Sequence, residues 1–199
     1  ATKQNCERNS ELVNDFFGLS LRYIRYNKVI FYSSSTLEIL MKQLTMNAIG
    51  VENHDAAKVH TSFIIEMTRG LKQDLSQKVD LAQNSILQHQ MQMWAFLRTY
   101  GGQMFKQYVH AILRVPPRQV AELFTDVLVC LSVEFRLEDN LAQTWLQEAI
   151  KDVPITVFTE ENKQKLIETV SDPQHFRQSS LQYELDRLCK RARSSAVRK

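Results

Sequence analysis

Few residues of this 199-residue chain have the types and spacing for chemistry. His54 and His60 lie six apart near one predicted helix start, a spacing that does not stack two ligands on one helix face. Surface or capping roles suit them better than a metal. Cys130 sits among Val127, Leu128, Val129 and Leu131 and reads as a buried small hydrophobe. Cys189 lies beside Arg187, Lys190 and Arg191, cations that lower a thiol pKa, yet it reads more simply as an exposed thiol on a terminal helix. The pairs Glu138–Asp139 and Glu160–Glu161 could act as acid and base, but both fall in the first turn of a predicted helix, where carboxylates complement the dipole. No H-E-x-x-H, G-x-S-x-G, Walker loop or G-x-G-x-x-G is present. No catalytic, metal or cofactor site emerges, and an enzyme is the disfavoured reading.

The elements that would position such residues are helices. Five Gly and four Pro make under 5% of the chain, where an average soluble protein carries roughly 12%. That shortage argues against turn-rich β folds and Gly-rich nucleotide folds. Three widely spaced cysteines (Cys6, Cys130, Cys189), with no CxxC pair and no N-x-[ST] acceptor, point to a reduced, intracellular protein. The longest run without Asp, Glu, Lys or Arg, Leu81 to Leu97, contains too many Gln, Asn and His residues to span a bilayer. Nothing near the start resembles a secretion signal, and beginning at Ala1 without Met implies processing or excision from something longer.

Apolar residues recur at helical spacing almost throughout. Leu12, Phe16, Leu19 and Tyr23, flanked by Val13, Phe17 and Ile24, predict a helix over about 10–26. Leu37, Leu40, Met41, Leu44 and Ala48 predict a second, with a Ser35/Glu38 capping box and Gly50 as terminator. A third starts at Asp55, carries Ala56, Val59, Phe63 and Met67, and is expected to stop at Gly70. Residues 71–92 are Gln-rich, with a weak stripe of Leu75, Val79, Ala82 and Ile86, and read as a helix or an insertion. Leu97, Gly101, Met104, Tyr108 and Ile112 keep phase through Gly101–Gly102, which places the glycines inside one long helix where a neighbour can approach closely; two helices meeting at the pair is the competing reading. Pro116–Pro117 forces a restart into Val120–Leu131. Further helices follow at Leu141–Ile150, at Glu160–Val170 with Thr159 as cap, and from Asp172–Pro173 through Leu188. Pairs near 10–50, 55–114, 117–151 and 159–193 begin at intervals suited to HEAT-type units. The expected fold is all-α, a right-handed α-α superhelix of about four helix pairs, with residues 1–186 as its body.

Charge is unevenly placed. Of 25 basic residues, six (Arg187, Lys190, Arg191, Arg193, Arg198, Lys199) follow the last acid; setting them aside leaves 19 against 22 acidic residues, a body of about −3 with a basic tail over 187–199. The tail reads as a handle for nucleic acid or another anionic partner, as a nuclear targeting cluster, or as a solvated helix end.

Particular stretches resemble the importin-β family of nuclear transport receptors, closest to its transportin-SR branch. They are VNDFFGLSLRYIRY (13–26), LEILMKQLTMNAIG (37–50), NHDAA (53–57) running into FIIEM (63–67), VPPRQVAELFTDVL (115–128) and WLQEAIKDVP (145–154). The resemblance implies the C-terminal HEAT-repeat part of an import receptor that shuttles between nucleus and cytoplasm. Such a receptor carries protein cargo, such as RNA-processing or SR-like proteins, past nuclear pore proteins under control of the small GTPase Ran. The family's main Ran-contacting repeats do not fit in this chain, and its arginine-rich cargo helix lies upstream of the matched part, so no functional residue transfers. If second helices line a concave inner face, Glu138, Asp139 and Glu148 are the expected acidic cargo contacts. The competing reading is an α-solenoid scaffold of another intracellular complex whose basic tail touches RNA or an acidic partner.

Overall fold

The computed structural model describes residues 2–32, 34, 37–76, 85–172 and 176–197, and among them every regular element is helical. Two compact units divide the chain at residue 100. Ser35, Val79, Ala82 and Pro173 lie outside the described residues.

In the first unit, α1 (Lys3–Arg8) precedes α2 (Ser10–Tyr26), whose principal neighbour is α6 (His54–Ser76). The buried stripe of α2 is Val13, Phe17, Ser20 and Ile24. Leu12, Leu19 and Tyr23, expected on the core face, are exposed instead. Two apolar stripes run side by side on this helix, and α6 takes the one that lets Phe17 reach Phe63 at a ring separation of 5.1 Å. Phe17 and Phe63 are fully buried, each stabilising the unit by ~1.5–3 kcal/mol relative to exposure.

Asn53 caps α6, its Oδ1 accepting from the Ala56 amide at 3.0 Å. Gly70 does not end this helix, contrary to expectation. The stripe of Phe63 and Met67 continues to the fully buried Leu71, and packing of that side chain outweighs the weak helix propensity of one glycine. His60 is likewise no surface residue. It is 0% exposed on the same face as Ala56, Phe63 and Met67, edge-on to the Phe17 ring, and its Nε2 donates to the Thr45 carbonyl at 3.1 Å. Burial lowers its pKa to about 4. After the short α3 (Lys28–Tyr32), the predicted 37–50 helix forms as α4 (Leu37–Ile39), a π-helical stretch (Leu40–Thr45) and α5 (Met46–Ala48). Gly50 closes it at φ 83°, a conformation that favours glycine.

The long α7 (Ser85–Leu113) passes through Gly101 and Gly102 without a break. In the second unit the Trp145 indole lies flat against both: a Cβ on Gly101 would stand 2.7 Å from Trp145 Cζ2, and one on Gly102 2.9 Å from Cδ1. The glycine pair is a slot for a tryptophan. Trp145 belongs to α9 (Leu141–Lys151) and also meets Phe135 at 5.0 Å, at the end of α8 (Arg118–Phe135). α8 is buried along Val120, Phe124, Val127, Leu128 and Leu131, and packs on α9 and on α11 (Gln178–Val197). α10 (Glu160–Ser171) is capped by Thr159, whose side chain accepts from the Asn162 amide, and packs on α9 and α11. The last helix starts at Gln178 rather than at Asp172–Pro173; Asp172 ends α10, its amide bonding the Glu168 carbonyl.

Candidate protein-binding surface

The three predicted acidic contacts all lie in the second unit, on or beside α9. Glu138 and Asp139 do not occupy the first turn of that helix. They form the turn before it, closed by the Leu141 amide donating to the Glu138 carbonyl at 2.8 Å. Asp139 (φ 48°) and Asn140 (φ 55°) are both left-handed, a conformation Asp and Asn tolerate better than most side chains, and this reversal postpones the helix to Leu141. The structure therefore brings Glu138, half-buried, and Asp139, exposed, together at the α8–α9 corner. Glu148 is exposed two turns into α9, a helix whose opposite side holds Trp145, Leu146, Ala149 and Ile150 in the core. Asp139 and Glu148 are thus exposed to solvent, and Glu138 only partly.

Of the basic residues, Arg187, Lys190, Arg191 and Arg193 lie on the last helix, in keeping with a helix end. Arg187 is bound within the unit: Nη1 meets Glu184 Oε2 at 2.6 Å and Nη2 donates to Asn162 Oδ1 at 2.8 Å. Glu184, 2% exposed, also takes Lys165 at 3.1 Å. This charged cluster joins α10 to α11, so the sequence reading of Arg187 as a solvent-facing handle does not match its placement. Lys190 is exposed and Arg191 and Arg193 are half-buried; Arg198 and Lys199 lie outside the described residues.

Cys189 is not the exposed thiol that the sequence suggested. It is buried beside Leu185 and Leu188, and burial pushes its pKa up to about 11 despite Arg193 nearby. Iodoacetamide at pH 8 should therefore modify it slowly in the folded chain and rapidly after denaturation, read by mass spectrometry of the Cys189 peptide. Equal rates in the two states would contradict this placement. The Leu181, Leu185, Leu188 and Ala192 stripe signals the burial, since Cys189 is four residues beyond Leu185.

In the second unit a polar cleft between α10 and α11 has a volume of about 540 Å³ and is lined by Lys165, Glu168, Thr169, Ser180 and Tyr183. The first unit has one of about 570 Å³ beside Lys42, Met93, Phe96 and Tyr100, where Lys42 Nζ stands 5.8 Å from the Tyr100 ring centre. Among the described residues no group of three His, Cys, Asp or Glu could hold a metal, and no helix is long and apolar enough to cross a membrane. Comparisons with protein-family models, with curated proteins and with solved structures find no match to this chain.

Proposed function

We propose that this chain is a protein-binding arm of a nuclear import receptor, built of about four HEAT-type helix pairs in a right-handed superhelix. The observation that carries this reading is the set of importin-β-like stretches at 13–26, 37–50, 53–67, 115–128 and 145–154. An all-helical chain in which α8 packs on α9, and α10 on α11, is compatible with stacked helix pairs. The arm binds RNA-processing or SR-like cargo in shuttling between cytoplasm and nucleus, while Ran acts on other repeats of the receptor. Basic cargo meets Glu138, Asp139 and Glu148, and the acidic balance of residues 1–186 favours its approach.

Reversing all three carboxylates (E138K, D139K, E148K) should weaken binding of an arginine-rich SR-type peptide by about tenfold, since rim charges act on encounter and on a modest share of affinity. Fluorescence anisotropy with the labelled peptide reads this directly. Undiminished binding removes these residues from the cargo surface.

A second reading, a scaffold that touches RNA, is favoured by the three cations on the last turns of α11. Neutralising Lys190, Arg191 and Arg193 to Gln should then reduce the salt dependence of single-stranded RNA binding by about 2 in the log–log slope, at roughly 0.7 per charge. An unchanged slope removes that reading.

A further inference from the structure

The stripe of α2 that α6 leaves uncovered is longer than a chance surface patch. Leu12, Phe16, Leu19, Tyr23 and Tyr26 follow one another at spacings of four, three, four and three residues, the repeat of a helix that packs against another helix. Leu12 is 69% exposed, Leu19 54% and Tyr26 86%. Two apolar clefts follow each other along its core-ward side. One, of about 260 Å³, lies among Cys6, Val13, Phe16 and Leu44, and the other, of about 230 Å³, among Phe16, Leu19, Tyr23 and Ile30. At 1.5 Å per residue the stripe is about 20 Å long, enough for a helix laid along it.

Its charges specify what fits. Asp15 and Arg22 are both exposed on the same flank of the stripe, seven residues apart, with opposite signs. The midpoint between them falls beside Leu19, which is also the midpoint of Leu12–Tyr26. A helix rotated by a two-fold axis through Leu19 would set each copy's Asp15 against the other's Arg22, Leu19 against Leu19, and Phe16 near Tyr23. The pattern is therefore self-complementary in the antiparallel sense that an isologous dimer requires.

We infer that this face pairs with a second copy of the same chain through antiparallel α2 helices. The pairing does not rest on the transport reading, and the two make separable demands. Sedimentation equilibrium of the 199-residue chain, across micromolar concentrations, should show a monomer–dimer equilibrium. D15R and R22E should each weaken the dimer by about tenfold, because two attractive pairs become two repulsive ones, and the double variant should recover it. L19E should give a monomer with unchanged helical circular dichroism, because Leu19 makes no part of the core. A monomer at every concentration overturns the proposal. So does a dimer indifferent to the charge reversals, or protection of L19C from a maleimide in a monomeric longer chain, which would mean that another segment covers the face.

Discussion

Gly101→Val should lower the stability of the chain by about 3 kcal/mol, the upper range for overpacking in a filled core. The warrant is the Trp145 indole, three of whose ring carbons stand closer to a Cβ at this position than van der Waals contact permits. The ring cannot swing aside freely, since it is only 7% exposed and is held against Phe135. In a thermal melt the loss should appear as a fall in Tm of roughly 10 °C for a chain of this length. Combining G101V with Trp145→Leu should cost less than the sum of the two single losses, a sub-additivity expected only where the two sites share one volume. Gly70→Ala supplies the contrast. Nothing lies within 4 Å of the Cβ it would add, and the position is inside α6, so this substitution should stabilise by ~0.5–1 kcal/mol. Equal effects at Gly101 and Gly70 would show that Trp145 does not occupy the slot.

Acidification should produce the second large effect. His60 is fully buried and neutral in the fold, with a pKa of about 4 against 6.5 when exposed, so the unfolded chain binds the proton more tightly. Its contribution is intact above pH 6.5 and is lost as pH falls from there through 4, amounting at the lower end to about 3 kcal/mol at 1.36 kcal/mol per unit. Urea unfolding of the parent and of His60→Met at pH 7 and pH 4.5 separates this residue from the carboxylates that also titrate in acid. The parent should lose more stability than the variant across the interval, by about 2–3 kcal/mol. Parallel losses would mean that His60 is not sealed between Phe17 and Thr45.

The sequence announced helices better than it announced their faces. Gly50, Thr159 and Pro116–Pro117 act through local backbone chemistry, and the structure shows them at the ends the sequence suggested. The glycine pair was legible for a different reason: its phase with Leu97 and Met104 favours one uninterrupted helix over two that meet at the pair. Faces failed where two apolar stripes lie one residue apart. On α2, either Leu12–Phe16–Leu19–Tyr23 or Val13–Phe17–Ser20–Ile24 could have been buried, and only the position of α6 decides between them. His60 and Cys189 were misplaced by the same kind of error, since polarity and neighbouring charge outweighed their position on a buried stripe. The left-handed Asp139–Asn140 step leaves no signal in hydrophobic periodicity, and the sequence therefore set Glu138 and Asp139 in the first turn of a helix that they precede. The α10–α11 charged cluster brings Arg187 to Asn162 across 25 residues, a separation no local pattern reports.

The transport reading meets its most direct test in a pull-down. The protein in its natural full-length chain, immobilised and exposed to nuclear extract, should retain basic RNA-processing proteins and release them when Ran loaded with GTP is added, whereas Ran loaded with GDP should leave them bound. Retention that is indifferent to the nucleotide state of Ran would contradict the account.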